Sequence, residues 1–100
     1  PFPPTFYWEF RGVALFQARR YREAIEAFSE VAQPPWWCRC YLAACYAHLG
    51  MHEEARIHGA EVLRLKPDFS MTDIERTEPY QNSADIQHLK DGLRKARLPE

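Results

Sequence analysis

The cysteine and histidine residues of this sequence are its candidate ligands for a metal ion such as zinc. Most of them lie between positions 38 and 58: Cys38, Cys40, Cys45, His48, His52 and His58. The spacing is unfavourable for a shared site, because Cys38 and Cys40 would point to nearly opposite sides of a helix. The paired CxxC motifs that mark zinc sites are absent. We therefore predict neither a metal ion nor another cofactor.

A cysteine with a neighbouring histidine could also act as a nucleophile and its base. Cys45 and His48 would share one face of a helix, but the sequence offers no third group to orient the histidine. The four glycines form no phosphate-binding loop. We interpret the cysteines as small buried residues. The sequence predicts no catalytic residue and no enzymatic activity for this chain.

The charge and hydrophobicity of the 100-residue chain limit its classes of partner. The formal net charge is −1, whereas nucleic-acid-binding domains usually carry a basic excess. No apolar run reaches the about 20 residues that span a bilayer. The odd number of cysteines, three, is typical of reduced thiols in the cytoplasm. We expect a cytoplasmic protein that binds neither nucleic acid nor membrane.

The elements that would position these residues follow from an internal repeat. Two segments align at a spacing of 31 residues, with these matched pairs: Gly12 and Ala43, Leu15 and Tyr46, Ala24 and Ala55, Val31 and Val62. The small matched residues let two antiparallel helices approach closely, and the large ones fill the space beside the contact. Gly50 and Pro67 are typical of helix ends. The sequence predicts helical hairpins at about 5–33 and 35–67.

The two segments resemble the tetratricopeptide repeat, whose pattern is W-x2-L-G-x2-Y, then A-x3-F, then P. The matching residues are Trp8, Gly12, Ala24 and Phe28 in the first segment and Ala55 and Pro67 in the second. The departures include Arg11 and Leu15 in the first segment and Arg39 and Gly59 in the second. The resemblance implies an all-α solenoid of two helical hairpins in residues 1–67, followed by C-terminal capping helices in 68–100.

The last third of the chain loses the repeat but keeps two helix-start signals. Ser70 is followed three residues later by Asp73, which predicts a short helix over 70–77. A second start lies at Asn82, after which apolar residues recur at helical spacing to about Ala96. We expect this last helix to cover the exposed end of the second hairpin, because a repeat cannot bury its own outer face.

Gly59 is a local inconsistency in the second segment. A glycine inside a helix costs about 1 kcal/mol relative to alanine, and the repeat pattern normally has a bulky residue at this position. We therefore expect Phe69, Tyr80 or the last helix to fill the space above Gly59.

The tail of the chain carries a narrower resemblance. Residues 63–70, 78–80 and 91–100 are similar to the C-terminus of bacterial class III adenylate/guanylate cyclases that carry a tetratricopeptide region behind the catalytic domain. The metal-binding aspartates of that catalytic domain have no counterpart in this sequence. The resemblance implies a non-catalytic C-terminal part of a larger protein. The start at Pro1 rather than at a methionine fits the same expectation.

The tetratricopeptide resemblance also implies a partner groove lined by the first helix of each hairpin. The positions that carry over are Phe6, Glu9, Val13, Phe16, Gln17, Trp37, Cys40, Ala44, Ala47 and His48. Relatives that clamp a terminal carboxylate use Lys and Asn in this groove, and neither is present at these positions. We expect the groove to suit an amphipathic helix or an extended apolar segment of a protein partner. The alternative is that it holds this chain's own residues.

Aromatic residues crowd the start of the chain: Phe2, Phe6, Tyr7, Trp8 and Phe10. We expect Trp8 and Phe10 to lie in the core, whereas Phe6 and Tyr7 would leave an apolar surface through which the chain self-associates. The predicted function is a protein–protein interaction, scaffolding or oligomerisation module. The alternative is a regulatory C-terminal region of a bacterial nucleotide cyclase.

Overall fold

The structure, a computed structural model, describes residues 5–77 and 82–100. This described part of the chain contains six α-helices and no strand. In chain order they are α1 Thr5–Gln17, α2 Tyr21–Ser29, α3 Trp36–His48, α4 His52–Leu65, α5 Met71–Thr77 and α6 Ser83–Lys95. The predicted all-α class is confirmed. Among the described residues, no helix is long and apolar enough to cross a membrane.

Short connections fold the first four helices into two pairs. Three residues join α1 to α2, three join α3 to α4, and the two helices of each pair pack against each other. Gly50, which follows α3, has a φ of +77°, a left-handed conformation that glycine adopts without strain. The second pair ends with α4 at Leu65, two residues before Pro67. The helix ends predicted at Gly50 and Pro67 are confirmed.

α3 is the central helix of the fold. It packs against α1, α2, α4 and α6. Its buried residues are Cys38, Cys40, Tyr41, Leu42, Ala43, Ala44, Cys45 and Ala47. Most of these side chains are small, so helices can approach α3 closely from several sides. This composition explains how one short helix organises the core.

Phe28 joins the two helix pairs. A Cβ atom added to Gly12 would lie only 2.6 Å from Cζ of Phe28, so the ring occupies the space that a side chain at position 12 would need. The same ring is fully buried and stacks on Tyr41, with the ring centroids 5.6 Å apart. The packing of α1 on α2 and of α2 on α3 therefore depends on one aromatic side chain.

The C-terminal helices begin where the sequence predicts. The backbone N–H of Ser70 donates to Oδ2 of Asp73 at 2.9 Å, immediately before α5. The backbone N–H of Asp85 donates to Oδ1 of Asn82 at 2.9 Å, which caps α6. Both bonds satisfy amides that a helix start would leave unpaired. The predicted helix starts near positions 70 and 82 are confirmed.

The space above Gly59 is filled by the residues that follow α6. A Cβ atom added to Gly59 would lie 3.7 Å from the carbonyl oxygen of Ala96 and 3.7 Å from Cγ and Cδ2 of Leu98, which is ordinary van der Waals contact. Phe69 instead packs edge-on against Trp36, at 5.8 Å between centroids. Tyr80, the third candidate, lies outside the described residues.

The prediction that Phe10 lies in the core is wrong, because its side chain is 69% exposed. Trp8 is partly buried and packs against the core, as expected. The physical reason is geometric: α1 packs against α2 and α3, and His88 of α6 stacks on Phe16, so the side of α1 that carries Phe10 faces outward. Trp8 and Phe10 point in nearly opposite directions because they lie two residues apart on a helix.

Candidate interaction site

The ten positions of the predicted groove differ in exposure. The buried ones are Phe16, Cys40, Ala44 and Ala47. The partly buried ones are Glu9, Val13, Gln17, Trp37 and His48. Phe6 is 58% exposed. The set therefore does not form one continuous open surface in this structure.

α6 lies over part of this set. Gly92 marks the closest approach of α6 to α3, because a Cβ atom added there would lie 2.6 Å from Cβ of Ala44 and 3.0 Å from Nε2 of His48. Nε2 of His48 donates to the backbone carbonyl oxygen of His88 at 3.2 Å. A protein partner could reach Ala44 and His48 from this side only by displacing α6.

His88 connects α6 to the first helix pair. Its ring stacks on Phe16, with the centroids 4.4 Å apart and the planes 19° apart. Nδ1 of His88 lies 2.9 Å from Nη1 of Arg19. Because a guanidinium has only donors, Nδ1 accepts this bond and the neutral ring carries its proton on Nε2. Nε2 then donates to Oη of Tyr21, at 2.7 Å.

The surroundings of His88 oppose its protonation. Burial, and then the positive charge of Arg19, lowers the pKa of His88 to about 4, although Asp85 and Asp91 act in the opposite direction. Burial also lowers the pKa of His48. Protonation would place a hydrogen on Nδ1, where Arg19 already donates. The neutral forms of both histidines therefore favour the docked position of α6.

Acidification should weaken the fold through His88. An unfolded histidine has a pKa near 6.5, so below that pH the unfolded chain binds a proton that the folded chain excludes. The stability contributed by the neutral ring is therefore present above about pH 6.5 and is lost progressively towards about pH 4. We expect the urea midpoint to fall between about pH 7 and about pH 5, a range in which most carboxylates stay ionised.

Two variants separate this effect from general acid sensitivity. His88→Gln keeps an acceptor for Arg19 and a donor for Tyr21 but does not titrate, so its urea midpoint should change less over the same pH range. His52→Gln removes an exposed histidine and should retain the full pH dependence of the original chain. Equal pH dependence in the original chain and in His88→Gln would contradict the assignment.

The three cysteines belong to the hydrophobic core. All three are buried thiols. Burial raises the pKa of Cys45 to about 12, so this thiol stays protonated at neutral pH and is a poor nucleophile even though His48 lies one helical turn away. In residues 5–77 and 82–100, no group of three or more Cys, His, Asp or Glu side chains could hold a metal ion.

Among the described residues, the large aromatic side chains that remain exposed lie on α1. We define the aromatic face of α1 as Phe6, Tyr7, Phe10 and Ala14, all of which are exposed. Phe6 is 58%, Tyr7 45% and Phe10 69% exposed. The rings of Phe6 and Phe10 contact each other edge to face, at 5.9 Å between centroids. A shallow groove beside them continues along Ala14, Leu15 and Ala18.

Charged residues border the aromatic face on two sides. Arg11 and Arg20 line the groove beside Phe6 and Phe10. On the other side of α1, a second depression contains Tyr7 and Trp8 together with Glu23, Glu26 and Glu30 of the α2 segment. A set of exposed apolar rings with a charged border is the usual composition of a protein-binding surface.

The last helix was expected to cover the second hairpin, and α6 does pack on α3, but its contacts with the first helix pair through His88 were not predicted. The available signal was Gly92, a glycine inside an otherwise regular amphipathic helix, which often marks close packing. Its partner could not be identified from spacing, because Ala44 lies on a helix far away in sequence. The exposed side of α1 was only partly anticipated, through Phe6 and Tyr7.

Comparison of the chain with models of protein families, with curated proteins and with solved structures gives no match.

Proposed function

We propose that this chain is a non-catalytic protein-interaction module of the tetratricopeptide type and that it binds through the aromatic face of α1. The observation that carries the proposal is the exposure of three large rings on one short helix, 58% at Phe6, 45% at Tyr7 and 69% at Phe10. Two helix pairs related by the 31-residue spacing support the type of module.

The energetic argument for binding is the apolar area that remains in water. Full burial of a large apolar side chain contributes about 1.5–3 kcal/mol, and contiguous apolar patches on soluble monomers often mark interfaces. Phe6 and Phe10 already contact each other, so a partner could cover both at once. The free energy of burying these two rings is released only in a complex.

In this proposal, the chain's own helix α6 occupies the predicted groove beside α3. α6 contacts Ala44 and His48 through Gly92, and His88 stacks on Phe16. These contacts support the alternative in which the groove beside α3 holds an internal helix. The face of α1, where three exposed rings lie together, is then the surface that we assign to a protein partner.

Self-association at high concentration tests the binding surface. In a dilution series followed by two-dimensional NMR, amide signals of residues 6–14 should shift with concentration, while those of α6 stay constant. Phe10→Glu should abolish the shifts and change the free energy of unfolding by only about 0.5 kcal/mol, because the side chain is exposed.

Ile57→Glu is the matched control for this variant. Ile57 lies on α4 and is 57% exposed, so the substitution removes a comparable exposed apolar group from another surface. Its dilution series should match that of the original chain. Concentration-independent spectra of the original chain, or equal loss of the shifts in both variants, would contradict the proposal.

A nucleotide cyclase as the parent protein is a separate proposal, based on the similarity of residues 63–70 and 91–100 to the tails of those enzymes. In that case the chain would be their cytoplasmic, regulatory C-terminal region. The test is the reading frame that encodes the chain. A cyclase domain with paired metal-binding aspartates upstream would support it, and any other upstream domain would contradict it.

A further inference from the structure

The internal repeat allows the aromatic face of α1 to be compared with a face whose partner is known. α1 begins at Thr5 and α3 begins at Trp36, and both helices are 13 residues long. With the 31-residue spacing, each residue of α1 has an equivalent in α3. In this register Phe10 corresponds to Tyr41, Tyr7 to Cys38, and Ala14 to Cys45.

Equivalent positions on the two helices differ sharply in exposure. Phe10 is 69% exposed, whereas Tyr41 is 1% exposed. Tyr7 is 45% exposed, whereas Cys38 is fully buried. Ala14 is exposed and Cys45 is fully buried. The aromatic face of α1 thus consists of positions whose equivalents on α3 are buried.

The first helix pair provides the cover for Tyr41. Phe28 of α2 stacks on Tyr41, with the centroids 5.6 Å apart and the planes 25° apart. Phe16 of α1 meets the same ring edge-on at 5.3 Å. The surface that accepts an aromatic residue of α3 is therefore the edge of a helical hairpin that supplies one ring from each of its helices.

Resting on the proposed function, we infer that the aromatic face of α1 docks against the edge of another helical hairpin, one whose second helix places an aromatic ring on Phe10. Arg11 corresponds to Leu42, which is only 3% exposed, so its long side chain must extend to water at the border of the contact. The partner is therefore a helical hairpin with an aromatic edge that leaves the guanidinium of Arg11 in water.

A second copy of the chain does not supply such an edge. Phe28 and Phe16 are 0% and 1% exposed, because α3 of the same molecule already covers them. A second copy can contact Phe10 only through other surfaces. Self-association of the chain is then a weaker substitute for hairpin docking.

An extended chain tests the inference with a hairpin of known sequence. Residues 5–35 are duplicated immediately before Thr5, so that the copied residues 30–35 connect to α1 in the way that they connect to α3 in the original chain. We expect the extended chain to be monomeric at concentrations at which the original chain associates. Its melting temperature should rise by about 3 °C or more, since one added kcal/mol corresponds to about 2–8 °C over the range of domain sizes that includes the extended chain.

Two substitutions test whether the gain in melting temperature comes from the contact between Phe10 and the added hairpin. Phe10→Glu at the original position should return the melting temperature to that of the unextended chain and leave the added hairpin to melt separately. Phe28→Ala in the added copy alone should do the same. Ile57→Glu, on α4, should leave the gain intact.

The outcomes separate this inference from the proposed function. An extended chain that shows no gain, or a gain that Phe10→Glu leaves unchanged, overturns hairpin docking while the self-association of the original chain still supports binding through α1. An extended chain that still associates identifies a second copy as the occupant and also overturns the inference. If the original chain never associates, the proposed function itself fails.

Discussion

Replacing Phe28 with alanine is expected to lower the free energy of unfolding by about 3–5 kcal/mol, the usual range for truncating a fully buried phenylalanine. The cost should be high in that range because the ring contacts both helix pairs. It lies against Gly12, where no side chain can compensate for it, and it stacks on Tyr41.

Phe10→Ala is the matched control for this substitution. It removes the same phenyl ring from a position that is 69% exposed, so the free energy of unfolding should change by only about 0.5 kcal/mol in dilute solution. Chemical denaturation of both variants, with unchanged dependence on denaturant, measures the difference. Similar losses in the two variants would contradict the packing described for α1, α2 and α3.

Replacing Gly92 with leucine is expected to separate α6 from α3. The first side-chain atom alone would lie 2.6 Å from Cβ of Ala44 and 2.9 Å from its Cα, and the second of these is a backbone atom that cannot yield independently. Overpacking of this kind costs about 1–3 kcal/mol and sometimes more. Because the helices must move apart, the bond from His48 to the carbonyl of His88 would be lost as well.

For Gly92→Leu, the stability lost through overpacking exceeds the stability gained through higher helix propensity. Leucine is about 1 kcal/mol more favourable than glycine within a helix, so an overpacking cost in the upper half of that range leaves a net loss of about 1–2 kcal/mol for Gly92→Leu. Gly59→Ala is the control, because its new Cβ would find 3.7 Å contacts to Ala96 and Leu98. That variant should gain up to about 1 kcal/mol.

Thermal unfolding monitored by circular dichroism distinguishes the two glycine variants. At about 4–8 °C for each kcal/mol, Gly92→Leu should melt at least about 4 °C lower, whereas Gly59→Ala should melt at the original temperature or higher. A Gly92→Leu variant as stable as the original chain would show that α6 does not pack closely on α3.

Features with a local cause could be predicted from the sequence. The helix end at Gly50 depends on one left-handed residue, and the start of α6 depends on one side-chain bond from Asn82. Such contacts span at most three residues, so spacing alone identifies them. The short helix after Ser70 was predictable for the same reason, since the acid that bonds its N–H lies at Asp73.

Features that depend on distant neighbours could not be predicted. The exposure of Phe10 follows from which side of α1 meets α2 and α3, and the aromatic residues of α1 fit several rotations of that helix equally well. The contact between Gly92 and Ala44 joins helices that are far apart in the sequence. The same holds for His88, whose partners Arg19 and Tyr21 lie 69 and 67 residues away.

The exposure of aromatic residues on α1 was therefore predictable in part, whereas the identity of the face that they form was not. The abundance of aromatic residues near the start of the chain indicated that some would remain exposed. Their equivalence to the buried residues of α3 became informative only when Tyr41 was located against Phe28. The repeat then supplied the comparison that a single helix could not.

Sedimentation equilibrium of three proteins, the original chain, Phe10→Glu and Ile57→Glu, tests most directly whether the aromatic face of α1 is a binding surface. The account predicts that the apparent mass of the original chain and of Ile57→Glu rises with concentration, while Phe10→Glu retains the mass of a monomer. A monomeric original chain over the whole accessible range, or association that persists in Phe10→Glu, would contradict it.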